Sequence, residues 1–437
     1  MIDDMLKFGL FSLGAPAARG EEEHVSRILD TELKDSEYLS LRDIVKWVGV
    51  TEGFKDVMKE FPTPEGGTPA GFRRDLVMDG DGVLRVDLRR DISRDKNGAP
   101  RPTKVLYSAD TADPYEVEAI SPFIANLTCN PGIVYDLFIN NPKANVGNKF
   151  RTRDEVMNEI GRILGPGSDI SVELNNPFER DFNLLLEEAE KFREMIGRHR
   201  VVIKVPHTGP VTPENVGQLL EGEKKLSVGF DEIKTAEALR GHALALKLRE
   251  HGFRINFTLM FEPFQTQLAL QARPYFINTF LRHRLVQSTK IKEFVDAYRM
   301  SGENAHLEGL RTYMVNNDYY PPSKAGTDLK DVLSFACDII RYRKFEEEQG
   351  RDGLDGMRHN LRVLRNCNLP DTRLIVCSME GPYNYPDIDK LLCEPEFLDM
   401  HHKVVITAPP DYLARFTSTN QVISYQRRFM NAAKGQK

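Results

Sequence analysis

A single lysine stands inside an otherwise apolar run, VVIKVP at 201–206. Burying an ammonium group is costly unless it is paired or neutralised. Desolvation lowers a lysine's pKa and frees its amine to attack a ketone or aldehyde carbonyl. Lys204 is therefore either a Schiff-base nucleophile facing a central pocket or a structural cation paired with a carboxylate. Spacing alone does not choose between them. Asp110 and Glu173 lie at or near the ends of two further apolar runs. Cleaving a carbon–carbon bond beside an iminium needs a base for a hydroxyl proton and a proton path for carbinolamine dehydration. A directly placed Asp110 can do the first; Glu173, working through water with Thr258, can do the second. The competing reading is helix capping, which SADTADPYEVEAI allows for Asp113. Asn130 and Asn256 are neutral donors, suited either to substrate hydroxyls or to holding loop backbone. Taken with the lysine, the set reads as a reaction site.

Eight short runs must position these residues: 105–110, 123–130, 169–174, 201–206, 254–261, 275–281, 373–378 and 403–409. They are rich in β-branched residues and largely apolar on both faces, as parallel strands covered by helices are. Longer segments of helical period separate them, among them NPFERDFNLLLEEAEKFREMIGRH and EIKTAEALRGHALALKLREHG, the latter closed by Gly252. Eight strands with helical crossovers predict an α/β chain folded as a (β/α)8 TIM barrel, whose catalytic groups sit at the C-terminal strand ends. The barrel is expected over 101–437, with a helical insertion after the sixth strand at about 286–370 that includes a charged helix around DVLSFACDIIRYRKFEEEQGRDG. Residues 1–100 read as an α+β extension of helices plus a hairpin. There SLRDIVKWVGV predicts a helix capped by Ser40, and FRRDLVMDGDGVLRVDLRRDI predicts a hairpin turning at Asp79 to Gly82. The DGDG run lacks the closing Glu of a calcium loop.

Composition excludes several classes. The formal charge of −6 argues against nucleic acid, which usually needs a basic face. No apolar stretch approaches the ~20 residues of a membrane span, and MIDDMLKFGLFSLGAP lacks the basic start of a signal peptide. Five scattered cysteines without a CxxC pair predict reduced thiols, no zinc site and a cytoplasmic setting. The chemistry needs neither metal nor other cofactor, because an iminium is itself the electron sink. The two histidines His401 and His402 precede the last strand at the face opposite the site, and His207 reads as a loop residue.

At these residues the sequence resembles the transaldolase family, Schiff-base enzymes on a (β/α)8 barrel. ADTAD is similar to the family's first-strand element and sets Asp110 at its catalytic aspartate. NLTCNPGIV is similar to TTNPS(L/I) and aligns Asn130. VELN sets the catalytic glutamate at Glu173, and VVIKVPHT sets the Schiff-base lysine at Lys204. GFRINFTLMFEPFQTQLA follows GIxxNxTLxFSxxQAxxA, aligning Asn256 and Thr258, and FINTFLRHRL loosely follows LISPFVGRI. The family's sixth-strand serine is Asn278 here, while Phe280 keeps the aromatic and favours transfer over simple aldol addition. The family's phosphate-binding serine–x–arginine falls on Ser378, Met379 and Glu380, and a glutamate there would repel a phosphate. The other phosphate arginine falls on Arg282 or Arg284.

The resemblance implies transfer of a dihydroxyacetone unit between sugars through Lys204, on non-standard or non-phosphorylated substrates. Lys204, Asp110, Glu173 and Thr258 would be catalytic. Asn130, Asn256, Asn278, Phe280, Ser378, Arg282 and Arg284 would bind substrate. Two alternatives stand beside it: a class I aldolase that releases free dihydroxyacetone, and an inactive barrel used as a scaffold. The expected partners are small-molecule sugars, with no nucleic acid and no membrane; a homo-oligomer stays open.

Overall fold

The computed structural model describes residues 8–378 and 384–435 and divides into two compact units. The first comprises Met1–Thr103 together with Leu164–Asp169 and Arg198–Arg200. It opens with β1 (Phe8–Gly9), α1 (Glu22–Ser26), β2 (Glu32–Leu33) and α2 (Asp35–Leu41), β1 pairing antiparallel with β2. β3 (Trp47–Val50), α3 (Glu52–Glu60), β4 (Phe72–Met78) and β5 (Val83–Arg90) follow, forming a sheet in the order β3-β5-β4. Val48, Val50, Phe54, Val57, Phe72, Leu84 and Val86 supply its core.

SLRDIVKWVGV does not form one helix. α2 ends at Leu41, and the Ser40 hydroxyl donates back to the Glu37 carbonyl at 2.9 Å instead of capping a helix start. Residues 47–50 become a parallel strand because the β-branched Val48 and Val50 are buried level with Leu84 and Val86 of β5. Burial against a remote partner overrides local propensity there. The hairpin forms as expected. The Asp79 carboxylate accepts from the Asp81 and Val83 amides, both at 3.0 Å, and Gly82 takes φ +82°. That carboxylate closes a turn.

The second unit is a closed barrel of eight strands: β6 (Leu106–Asp110), β7 (Asn126–Thr128), β8 (Asp169–Glu173), β9 (Val201–Pro206), β10 (Arg254–Thr258), β11 (Phe276–Phe280), β12 (Arg373–Cys377) and β13 (Val404–Ala408). Each neighbours the next in sequence, and β13 closes on β6 in parallel register. The strands are nearly continuous apolar runs because helices cover their outer face and side chains fill the inner one. Outside run α4 (Pro114–Ile120), α5 (Arg153–Leu164), α6 (Phe182–Ile196), α7 (Thr235–Ala238), α8 (Arg240–Glu250) and α9 (Pro263–Ala269). α6 is capped by Asp181, whose carboxylate accepts from the Asn183 amide at 2.9 Å, and Gly252 at φ +81° turns the chain from α8 into β10.

Between β11 and β12 lie α10 (Leu281–Ser301), α11 (Asn304–Asn316), α12 (Leu329–Tyr342) and α13 (Asp355–Asn366). The first three share a core of Ile291, Val295, Leu307, Leu310, Met314, Val332 and Ala336, so the inserted segment is a three-helix layer. The charged stretch is helical only to Tyr342; Lys344 takes φ +51° soon after. α14 (Asn384–Leu392), α15 (Pro410–Arg415) and α16 (Asn420–Ala433) complete the chain. No helix among the described residues is long and apolar enough to cross a membrane.

Candidate active site

Alternate residues of a barrel strand face the interior. Strand register sets Glu173, Lys204 and Asn256 level on three adjacent strands, and Asp110 level with Thr128. Lys204 is 6% exposed. Its Nζ donates to the Cys129 carbonyl at 3.2 Å and lies 3.4 Å from Glu173 Oε2. Lys204 is thus buried and paired with a carboxylate, a geometry that both readings of the lysine allow. Burial alone would lower the Lys204 pKa, but Glu173 and Asp110 outweigh it and hold the ammonium above its ordinary value. Burial raises the Asp110 carboxyl; Lys204 opposes that rise and Glu173 adds to it. A cation and two carboxylates thus share one buried space, and the pairing favours the charged lysine.

The remaining expected residues divide. Thr258 is buried at the end of β10, where its carbonyl accepts from the His207 amide at 3.1 Å. Asn130 follows β7, and its Oδ1 accepts from the Ile133 amide at 3.0 Å. Its oxygen fixes the next turn, as the loop-holding alternative supposed. Asn278 Nδ2 donates to Asn256 Oδ1 at 2.5 Å and to the Phe257 carbonyl at 2.7 Å, leaving Asn256 Nδ2 buried without a partner among the described residues. Phe280 ends β11 with its ring 4.4 Å from that of Phe261. Ser378 has φ +62°, and its carbonyl accepts from the Arg282 amide at 3.3 Å. Met379 and Glu380 lie outside the described residues.

The two arginines part company. Arg284 is buried and engaged by Glu262 Oε2 at 2.9 Å and by Asp355. Glu262 also holds Arg343 at 2.6 Å and the Tyr342 hydroxyl at 2.7 Å. Arg284 thereby ties α9, α10, α12 and α13 together through Nε and Nη1, while its Nη2 has no partner among the described residues. Half-buried Arg282 has no carboxylate partner among the described residues.

Sequence reasoning missed three features. The Cys129 carbonyl that holds Lys204 is backbone and carries no residue signal. The buried Cys129 and Cys377 thiols feel both Lys204 and Asp110; burial pushes Cys129 up to about 12 and raises Cys377 as well. Two residues before Asp110, Thr128 and Glu173, a polar layer supports the site. There Asn126 Nδ2 donates to Ser108 Oγ at 2.8 Å, and Ser171 Oγ donates to Asn126 Oδ1 at 3.2 Å. Its signal was present, since a polar residue recurs at i−2 on three consecutive strands.

Residues 107–304, which carry Asp110 to Arg284, match the family model described as transaldolase/fructose-6-phosphate aldolase. This barrel segment belongs to that family. No curated protein matches the chain. For a transaldolase/aldolase barrel, a lysine within reach of two carboxylates is the feature on which class I aldol chemistry depends. Among the described residues, no three His, Cys, Asp or Glu side chains gather as metal ligands.

Proposed function

We propose that this protein transfers a dihydroxyacetone unit from a ketose to an aldehyde acceptor through a Schiff base on Lys204. The observation that carries the proposal is the buried Lys204 ammonium 3.4 Å from Glu173 and under the field of Asp110. The ammonium is the resting form, so it first passes a proton to a neighbouring carboxylate. The free amine then adds to the ketose C2 carbonyl, and the carbinolamine loses water with Glu173 and Thr258 moving the protons. Asp110 takes the proton of the C4 hydroxyl as the C3–C4 bond breaks. The bonding pair enters the iminium, an aldose departs, and an enamine remains on Lys204. The enamine attacks the acceptor aldehyde, Asp110 returns its proton to the new alkoxide, and hydrolysis of the iminium frees Lys204 and the product ketose.

Asn130 and Asn256 position the donor hydroxyls, and Phe280 with Phe261 walls one side of the mouth. Arg282, which has no carboxylate partner among the described residues, meets an anionic arm of the substrate; Arg284 is paired with Glu262 and Asp355. The test incubates the protein with free and phosphorylated ketoses, with and without an aldose acceptor, and follows products by mass spectrometry. Donor consumption that depends on acceptor supports transfer. Dihydroxyacetone released at full rate without acceptor would make the protein an aldolase instead.

A further inference from the structure

A second opening lies away from the strand ends that carry Asp110 and Glu173. It is a surface cleft of about 640 Å3 between α9 and α13, within the roughly 300–1,000 Å3 of small-molecule sites. Arg273 and Leu369 are among its walls and precede β11 and β12. The cleft therefore opens toward the N-terminal face of the barrel, opposite the face that houses barrel chemistry.

Its lining indicates what it would hold. Four carboxamides line it, those of Gln267, Gln271, Asn366 and Asn368, and no carboxylate does so among the described residues. A carboxamide both donates and accepts, as a sugar hydroxyl does. His359 adds Nε2, which is buried without a partner among the described residues. A buried nitrogen in that state is costly unless water or a ligand meets it. No Phe, Tyr or Trp lines the cleft among the described residues, so a nucleobase would lack a stacking surface.

The charges at one end point to an anion. Arg362 lines the cleft but is held by Glu396 at 2.6 and 2.8 Å. Arg273 lines it with no carboxylate partner among the described residues. Arg249 of α8 donates to the Ala272 carbonyl at 3.4 Å, one residue from Arg273. Burial, and then Arg273, hold the Arg249 guanidinium below its ordinary value. Arg249 in the last turn of α8 also complements that helix's dipole. Arg273 stands outside any α-helix and has no such duty. Two neighbouring cations repel, and an anion between them removes the repulsion.

We propose that this cleft binds a phosphorylated sugar or polyol, its phosphate on Arg273 and Arg249 and its hydroxyls on the carboxamides and His359. The site is separate from Lys204 and makes no use of it.

Cys367 lines the same cleft and is half-buried, whereas Cys393 is exposed elsewhere. Alkylation of Cys367 by iodoacetamide in the full-length protein, read by peptide mapping with Cys393 as reference, reports occupancy of the cleft itself. The probe is glucitol 6-phosphate, which has no carbonyl and forms no Schiff base. At ~10 times its Kd, Cys367 alkylation should slow ~10-fold with Cys393 unchanged. Glucitol should give no protection, and inorganic phosphate should need a concentration ~10-fold higher or more. Arg273→Gln and Arg249→Gln should each raise the concentration for half-protection ~10-fold or more, the worth of one charge-assisted hydrogen bond. Neither arginine is fully buried, and melting of each variant checks that it folds. Should Arg249→Gln not fold, exposed Arg273 carries the comparison. No protection by ~10 mM glucitol 6-phosphate, tenfold above a millimolar affinity, overturns the site. Equal protection by inorganic phosphate overturns the hydroxyl half, and protection undiminished in Arg273→Gln overturns the phosphate half.

Discussion

Arg282 and Arg284 are two residues apart on α10, and among the described residues carboxylates hold only the second. Replacing Arg284 by Met removes the cation between Glu262 and Asp355, whose side chains are 18% and 10% exposed. Breaking a buried pair by removing one partner costs about 3–5 kcal/mol. Glu262 keeps Arg343 and Tyr342, so the loss falls mainly on Asp355 and the lower end applies, about 3 kcal/mol. At ~2–4 °C per kcal/mol, Tm should drop by ~6 °C or more. Arg282→Met removes a half-buried cation with no carboxylate partner among the described residues, and stability should stay within ~0.5 kcal/mol. Its cost should appear in turnover of anionic substrates. One lost charge-assisted hydrogen bond, ~1.5–3 kcal/mol, lowers kcat/KM about 10- to 150-fold for a phosphorylated ketose and leaves the free sugar unaffected. Calorimetry and steady-state kinetics on the two variants measure both halves. Equal destabilisation by both substitutions, or a stable Arg284→Met with a selective defect on phosphorylated substrate, would refute the division of labour.

Three further outcomes follow from the charges. The Lys204 pKa is raised relative to the unfolded chain, so its pairing stabilises the fold at pH below the ordinary lysine value and is lost as pH rises through the folded pKa. Glu173→Gln removes one cause of that rise, so the pH midpoint for acylation of Lys204 by acetic anhydride should move to lower pH; a shift upward or no shift would contradict the Glu173 contact. His207 is pushed down to about 3 by burial and by His242. The neutral ring is the folded form, so this contribution is present above the ordinary histidine pKa of 6.5 and is lost as pH falls toward 3. His207→Phe should therefore lose less stability between pH 6.5 and 4 than the wild type in urea titrations, and an identical loss would remove His207 from the account. Ser171→Ala takes away the hydroxyl donor that holds Asn126 under Glu173. It should lower Tm by ~2–4 °C, the worth of ~1 kcal/mol; a Tm unchanged within error would mean that the polar layer supports nothing.

The barrel was legible in the sequence, as were the residues that the structure gathers around Lys204, because those features are local. A lysine in an apolar strand, a carboxylate at or near a strand end and a Gly after a helix are each visible without knowing what lies opposite. What it hid depends on remote partners. Arg282 and Arg284 look alike until Glu262 and Asp355, 22 and 71 positions away from Arg284, are brought to the second of them. Residues 47–50 read as helix until β5 supplies a place for Val48 and Val50. Asn278 read as a substrate contact because the residue type allows it; the Phe257 carbonyl and Asn256 that occupy its nitrogen appear only in three dimensions. The Cys129 carbonyl is the extreme case, since any residue at that position supplies one.

The proposed reaction passes through a covalent adduct on Lys204, and trapping that adduct tests it directly. The protein is incubated with a panel of free and phosphorylated ketoses, reduced with borohydride, and read by intact mass and peptide mapping. A dihydroxyacetone-sized addition is expected on Lys204, absent from Lys204→Met under the same conditions. No addition with any ketose, or an addition on another lysine that survives Lys204→Met, would contradict it.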